Sequence, residues 1–255
     1  MRTLVDLHNH SCLSPCASLE MSPSALCRIA RERGLGVLAL TDHNSARNCP
    51  AFAEACGREG LAPLFGIEAC SVEEVHVLCI FETLDEVLDF GAYLEERLPT
   101  LPYDPAKLGD QVVVDVDENV LELPQRYLGA ALSLGFGELC RAAADRGALV
   151  IPAHVDRGMF SVSSQLGFLP PGPYDAVEAV RRPAAALTRG LAAVSGSDAH
   201  YPGQIAARPF VVDMPEELTA PRPRGGSERF GPALLGALRG KLGLREVRAA
   251  WERET

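Results

Sequence analysis

The sequence predicts an α/β fold in which one β/α barrel takes up most of the chain. Three observations lead to this prediction. The 255 residues, 47% of them hydrophobic, suffice for one large domain with a buried core. Strand and helix patterns alternate through the first 80 residues, which favours parallel strands joined by right-handed helical crossovers. Seven or eight strand candidates follow one another without an internal repeat.

The first half of the barrel is predicted from short apolar strands and helices with clear ends. Ser22 is the expected N-cap of the first helix, Pro23 stands in its first turn, and Gly34 follows its end. Gly60 ends the second helix. The predicted strands are Leu4–Asn9, Val37–Thr41, Leu61–Glu68 and Val75–Phe81, and the predicted helices are Ser22–Arg33, Cys49–Glu59 and Leu84–Arg97.

The second half is less regular. The alternation breaks at Pro99, so we expect an insertion at about residues 99–124 that holds one short strand, Val112–Val116. The remaining predicted elements are a helix, Gln125–Arg146, and the strands Ala148–Ala153, Ala176–Val180, Ala192–Ser197 and Pro209–Val212.

We therefore expect the barrel to occupy residues 1–214 and a C-terminal helical arm to occupy residues 215–255. Residues 215–232 are rich in Pro and Gly, which is typical of a linker or surface loop. An amphipathic helix is predicted for Phe230–Trp251. This helix is expected to pack on or beside the barrel.

Composition excludes several classes of protein. The net charge of −10 argues against a surface that coats nucleic acid, so no stable nucleic-acid complex is expected. There is no apolar run of the roughly 18 residues that a membrane span requires. The chain opens without a secretory apolar segment, and its eight cysteines lack CxxC spacing. We expect a cytoplasmic protein with reduced thiols and no membrane association.

The six histidines carry the functional prediction. His8 and His10 form an HxH pair at the end of the first strand, and residues two apart on a strand face the same side. The others are His43, His76, His154 and His200, each in or at the end of a predicted strand. Glu68 and Asp198 share this placement. In a barrel the carboxyl ends of the strands surround one site.

Imidazoles and carboxylates in this number are the ligand set of Zn²⁺, Mn²⁺ or Fe²⁺. There are too many for one tetrahedral ion, so we expect two or three divalent transition metals with one carboxylate bridging. Two such ions can bind both the attacking and the leaving oxygen in the hydrolysis of a phosphate ester.

On these motifs the sequence resembles the PHP (polymerase and histidinol phosphatase) family of metal-dependent phosphoesterases. The matching motifs are Asp6–Ser11, Thr41–Asn44, Gly66–Glu68, Val75–Leu78, Pro152–His154 and Ser197–His200. They occur in the family's order. The resemblance implies a distorted seven-stranded β/α barrel with up to three metals.

The resemblance also implies an assignment of ligands to each metal. The first metal would take His8, His10, Glu68 and Asp198; the second Glu68, His76 and His154; and the third His43 and His200. A further third-metal ligand of the family corresponds in position to Pro15, which cannot bind a metal. Cys16 or Glu20, from the same loop, are the candidates to replace it, and the alternative is a two-metal site.

As a mechanism we expect a metal-activated hydroxide to attack phosphorus in line. His43 or His200 would protonate the leaving alkoxide where the third metal is absent. Arg157 and Arg208 are candidates to bind the substrate phosphate. Asp6 and Asp42 stand beside ligand histidines and are expected to orient imidazoles.

The expected substrate is a phosphorylated small molecule or nucleotide. Two alternatives stay open at this point. An amidohydrolase-type barrel would cleave C–N or ester bonds, but its two-metal form typically uses a carbamylated lysine, and the only central lysine is Lys107, in the insertion. The other alternative is a catalytically silent metal-binding module that serves as a partner surface.

Overall fold

The structure is a computed structural model that describes residues 1–101, 103–219 and 233–252. The strands in these residues are β1 (Arg2–Asp6), β2 (Val37–His43), β3 (Ala62–Cys70), β4 (His76–Phe81), β5 (Val113–Val114), β6 (Val120–Glu122), β7 (Leu149–Pro152), β8 (Ala176–Glu178), β9 (Ala192–Val194), β10 (Phe210–Asp213) and β11 (Val247–Arg248).

Helices cover the outside of the strands. In the same residues they are α1 (Pro23–Glu32), α2 (Cys49–Glu59), α3 (Leu84–Glu95), α4 (Pro105–Leu108), α5 (Phe136–Ala144), α6 (Val162–Gln165), α7 (Ala185–Thr188), α8 (Glu216–Thr219) and α9 (Leu234–Gly243), with short 3₁₀ helices at Pro202–Gln204 and Ala250–Glu252. As predicted, Ser22 caps α1: its side chain accepts a hydrogen bond from the amide of Ala25 at 3.0 Å.

Seven strands form one curled, mixed sheet in the order β11-β10-β1-β2-β3-β4-β7. The shorter pair β8-β9 contacts β7 on one side and β11 on the other, so that the two sheets together curl into a barrel. The predicted fold class, a distorted α/β barrel, is confirmed.

The parallel pairing predicted for the first, alternating strands is wrong for β4, and the later strand β10 is also antiparallel to its neighbour β1. β4 runs antiparallel to both β3 and β7, and β10 runs antiparallel to β1. The reason lies in the connection: five residues join Cys70 to His76, which is too short for the helical crossover that parallel neighbours need. The reversal places the first residue of β4, His76, beside the end of β3.

Two apolar clusters fill the molecule because side chains alternate along each strand. Leu38 and Leu40 face the helices, whereas Val37 and Ala39 face the barrel interior. α9 adds Leu234, Leu235, Leu238 and Leu242 to the interior cluster. Since the amides of Leu234 and Leu235 bond Glu82, just after β4 ends, α9 lies at the end of the barrel opposite His76.

Two predicted helices differ in extent from those observed. The helix predicted from Gln125 begins at Phe136, because the chain between holds Gly129 and uses Gly135 as the N-cap. The predicted C-terminal helix ends at Gly243, and the chain then adds β11 to the sheet edge beside β10. The start of that helix and most of the predicted linker, residues 220–232, lie outside the described residues.

Candidate metal centre

All eight side chains predicted as metal ligands converge on one rim of the barrel. His43 ends β2, Glu68 lies near the end of β3, and His76 begins the antiparallel β4. The others lie in the loops after β1, β7 and β9: His8, His10, His154, Asp198 and His200. The hydrogen bond from the amide of His10 to the carbonyl of Ala199, at 3.0 Å, joins the loops that follow β1 and β9.

Four of these side chains form a set with the dimensions of a coordination shell. His8 Nε2 lies 3.3 Å from His10 Nε2, 3.2 Å from Glu68 Oε1 and 3.3 Å from Asp198 Oδ1. His10 Nε2 lies 3.2 Å from Asp198 Oδ1 and 3.4 Å from Glu68 Oε2. Ligands about 2.1 Å from a tetrahedral ion would be about 3.4 Å apart. The predicted first-metal ligands therefore fit one divalent ion.

Glu68 lies at the middle of the centre. Its Oε1 is 2.8 Å from His76 Nδ1 and 3.1 Å from His154 Nε2. Its Oε2 is 3.1 Å from His43 Nδ1. Because its two oxygens contact different histidines, this buried carboxylate has the placement that a bridging ligand needs. The structure also brings His43 close enough to His76 and Glu68 to share an ion with them.

His10, His43 and His200 form a third group whose ligand atoms could hold a cation. The His10 and His200 rings stack with their centroids 4.2 Å apart. Cys16 lies in the cleft beside this group and Glu20 is exposed. Among the described residues, neither belongs to a group of ligands close enough to share an ion.

The electrostatics of the centre keep its carboxylates ionised. Burial alone would raise the pKa of Glu68, but His76, His8 and His43 hold it well below its usual range. The pKa of Asp198 is likewise low, since His8 and His10 outweigh the effect of burial. Burial, together with His200, lowers the pKa of His10 to about 4. Ionised carboxylates and a neutral imidazole are the forms that bind metals.

The pKa of His8 is shifted in the opposite direction to that of His10, because His8 contacts a residue that the sequence prediction missed. Glu178, the last residue of β8, contacts His8 Nδ1 through both carboxylate oxygens, at 3.0 and 2.9 Å. Although burial lowers the pKa of His8, Glu178, Glu68 and Asp198 raise it well above its usual value. A buried glutamate in an otherwise apolar strand was the available signal, since its charge needs a partner.

Asp42, predicted to orient an imidazole, is connected to His10 by the hydroxyl of Ser14. Its carboxylate accepts hydrogen bonds from Ser14 Oγ at 2.6 Å and Ser11 Oγ at 2.6 Å, and Ser14 Oγ lies 3.0 Å from His10 Nδ1. Asp6, by contrast, contacts no imidazole among the described residues. It accepts hydrogen bonds from the amides of His8 and Ser197 and from the Ser197 hydroxyl, so it fixes two ligand loops rather than a ring.

Two of the predicted ligands have strained backbones. His154 and Asp198 have φ values of 29° and 49°, in the left-handed region that side chains other than Gly seldom adopt. In addition, Nδ1 of His154 is buried and has no hydrogen-bond partner among the described residues. Strain and unmet hydrogen bonds are concentrated at functional sites, and a metal would give this ring a partner.

A cleft of about 440 Å³ opens beside the centre and includes both arginines predicted to bind phosphate. Arg157 Nη1 donates to Asp198 Oδ2 at 2.6 Å and is 44% exposed. Arg208 is half-buried and donates to the carbonyl oxygens of Ala179, at 3.3 Å, and Val180. Lys107, the residue that an amidohydrolase-type bridge would require, is instead exposed on α4 and paired with Asp104.

The sequence also matches the profile of a known protein family. The profile of the PHP domain matches residues 6–120, which include five of the eight predicted ligands. The resemblance to the PHP family that the sequence motifs predict is confirmed over this segment of the chain. The PHP domain and the cluster of metal-ligating side chains together support a metal-dependent hydrolase.

This chain is similar to parts of two curated proteins that are much longer. It is 30% identical over 108 residues to the PolC-type DNA polymerase III of Thermotoga maritima, and 29% identical over 101 residues to that of Thermotoga petrophila. These segments cover 42% and 40% of this chain but only 8% and 7% of the polymerases. The chain therefore matches a small part of either relative.

Solved structures resemble this chain over nearly its whole length. The lesion-specific endonuclease Q of Pyrococcus furiosus aligns with a TM-score of 0.63 at 16% identity, covering 98% of this chain and 58% of that chain. A proposed metal-dependent phosphoesterase from Bifidobacterium adolescentis aligns with 0.54 at 17%, covering 94% and 96%. An amidohydrolase from Chromobacterium violaceum aligns with 0.51 at 18%, covering 98% and 99%. At these identities the likeness concerns the fold.

The described helices include none that is both long and apolar enough to cross a membrane.

Proposed function

We propose that this protein hydrolyses a phosphate ester at a centre of two or three divalent transition metals, Zn²⁺, Mn²⁺ or Fe²⁺. The observation that carries the proposal is the convergence of six histidines, Glu68 and Asp198 on one rim, four of them at the spacing of a coordination shell. We take the substrate to be a phosphorylated small molecule or a nucleotide.

The ligand sets follow from the contacts. His8, His10, Glu68 and Asp198 would hold one ion, and Glu68 would share a second with His76 and His43. The predicted second-metal ligand His154 lies beside this group, with its Nε2 3.1 Å from Glu68 Oε1. When bound, such ions would supply Lewis acidity toward a phosphoryl oxygen and a water that ionises near neutral pH. A third ion would rest on His10, His43 and His200.

In a two-metal centre His200 is the better general acid for the leaving alkoxide. Its side chain is 20% exposed, compared with 10% for His43, and it lies in the cleft. Its Nδ1 lies 2.9 Å from the carbonyl oxygen of Asp198, an acceptor that requires a proton on Nδ1. This leaves Nε2 as the atom able to exchange a proton with the substrate.

Arg157 is suited to bind the phosphate. One nitrogen of its guanidinium is paired with Asp198 Oδ2, and the exposed side chain has further donors for a substrate oxygen. The same pair would hold Asp198 with its Oδ1 toward His8 and His10. Arg157 would thus position a ligand as well as the substrate.

An amidohydrolase activity is less well supported. Glu68 has the bridging placement that a carbamylated lysine would otherwise take, and Lys107 is exposed away from the centre. Hydrolysis of amides or carboxylic esters without hydrolysis of phosphate esters would reverse this choice.

The proposal is tested with p-nitrophenyl phosphate and metal-loaded protein. We expect His8→Ala and Asp198→Ala to lower kcat/KM by at least about 100-fold, the upper end of what changes around a metal site produce. Asp213→Ala is the control, because Asp213 is exposed and lies opposite Arg2 in the pairing of β10 with β1. This is the end of β1 far from the predicted ligands. Ligand variants that lose their metal but keep their activity would overturn the proposal.

A further inference from the structure

A second cleft adjoins the metal-centre cleft. It measures about 330 Å³ and shares Val180 and Arg208 with the first cleft. Its other lining includes Arg181, Arg182 and Trp251. Three arginines and one aromatic ring therefore extend directly from the metal centre, on a protein whose net charge is −10.

Arg181 and Arg182, which line the second cleft but not the first, are free to bind an anion. Arg181 and Arg182 are exposed, and within the described residues neither guanidinium is paired with a carboxylate. The nearby carboxylate of Asp156 accepts hydrogen bonds from the backbone amides of Val180 and Arg181, at 2.7 and 2.8 Å. That carboxylate therefore fixes the loop after β8, whose side chains carry the positive charge.

Trp251 adds an uncharged aromatic ring to the cationic arginines of the second cleft. It is half-buried in the 3₁₀ helix Ala250–Glu252 and is the sole tryptophan of the chain. The amide of Ala250 donates to Ser195 Oγ at 2.8 Å, which ties this segment to the loop that carries Asp198. The ring is thus fixed relative to the metal centre, although it comes from the far end of the sequence.

We propose that the second cleft, the Arg181–Trp251 subsite, binds the base and the next phosphate of a nucleotide-type phosphoester whose scissile phosphate lies at the metal centre. The inference rests on the proposed function and names its substrate class. Planar guanidinium groups suit phosphate oxygens, and an indole stacks on any nucleobase. A sugar monophosphate would leave both features unused.

The position of Trp251 makes binding directly observable. Metal-loaded protein is titrated with 5′-phosphorylated thymidine dinucleotide, and tryptophan fluorescence is read immediately after mixing. We expect saturable quenching by the dinucleotide and none by inorganic phosphate, which lacks a base. The dinucleotide should also bind at least about tenfold more tightly than thymidine 5′-phosphate, because it alone offers a second phosphate to charge-assisted hydrogen bonds.

A double variant tests the arginines. Arg181→Ala/Arg182→Ala should weaken dinucleotide binding by at least about tenfold while leaving kcat/KM for p-nitrophenyl phosphate unchanged. The matched control is Arg28→Ala/Arg58→Ala, which removes the same charge from exposed positions on α1 and α2. Distant exposed charges are screened by salt, so this control should change binding by less than about threefold.

The possible failures are distinguishable. If p-nitrophenyl phosphate is hydrolysed but the dinucleotide does not quench Trp251, or the double variant binds it as its control does, the subsite is overturned and the proposed function stands. If the dinucleotide binds with the expected dependence on Arg181 and Arg182 but no phosphate ester is hydrolysed, the proposed function fails and the subsite remains.

Discussion

At the scale of single residues, the contact between Glu178 and His8 shows how the fold prepares a ligand. An imidazole binds a metal through one nitrogen, and a hydrogen bond at the other nitrogen selects the tautomer and fixes the ring. Glu178 contacts Nδ1 of His8, which leaves Nε2 for Glu68, His10 and Asp198. Glu178 also accepts the amide of His154 at 3.0 Å, so one carboxylate supports ligands from two loops.

Glu178→Gln is therefore expected to weaken metal binding by about 10- to 100-fold, since the amide keeps the shape but loses the charge that polarises the imidazole. Affinity is measured by competition with a chromogenic chelator. Glu138→Gln, an exposed change on α5, should leave it unchanged. Equal metal affinity in the two variants would show that Glu178 is only a structural carboxylate.

Residue patterns predicted the ligands better than the groups that support them. Six histidines, Glu68 and Asp198 could be placed from sequence because a strand end is a local signal. For Glu178 the sequence offers only a glutamate in an apolar strand, because its partner His8 is 170 residues away and only the barrel brings them together. The same dependence on the fold holds for Ser14, which links Asp42 to His10 from within a loop.

At the scale of elements, the loop after β9 approaches the centre closely enough to require glycine. A Cβ on Gly196 would lie 1.9 Å from Glu178 Oε1 and 2.9 Å from His8 Cβ. Since both neighbours belong to the metal centre, this glycine allows Glu178 and His8 to stay in contact.

Gly196→Ala should accordingly displace Glu178, weaken metal binding by at least about tenfold, and lower the free energy of unfolding by about 1–3 kcal/mol through overpacking. Chelator competition and chemical denaturation measure the two effects. Gly203→Ala is the matched control, because no atom of the part of the chain that the structure describes lies within 4 Å of its Cβ position. Identical behaviour of the two variants would contradict the close packing described here.

Most strands could be predicted from their apolar runs, but their directions could not. The short turn before His76 forces β4 to run antiparallel, and this reversal places His76 on the rim with ligands that follow parallel strands. β11 was missed because two residues carry no periodic signal. It forms only because the edge of β10 is available to pair with it.

At the scale of the whole molecule, the barrel has one apolar end and one polar end. α9 packs its leucines into the barrel interior, whereas the opposite rim buries Glu68 and five of the six histidines. Burying so many titratable groups is unfavourable without a partner for their charge. Metal binding should therefore contribute to the stability of the fold as well as to its chemistry.

Removal of the metals by a chelator should lower the Tm by at least about 5 °C. An ion present at about 100 times its Kd stabilises the folded state by about 2.7 kcal/mol, and about 1 kcal/mol corresponds to 2–4 °C in a domain of this size. Calorimetry measures the shift. Asp198→Ala, which lacks a ligand, should show a smaller shift. A Tm that does not respond to the chelator would mean that the centre binds no metal.

The dependence of phosphate-ester hydrolysis on bound metal is tested by titrating metal-free protein with Mn²⁺ or Zn²⁺ while following hydrolysis of p-nitrophenyl phosphate. We expect negligible activity without metal and a rate that rises to a plateau at two or three equivalents per chain. A rate that does not depend on the added metal, or a fully loaded protein that leaves the ester intact, would contradict the proposed function.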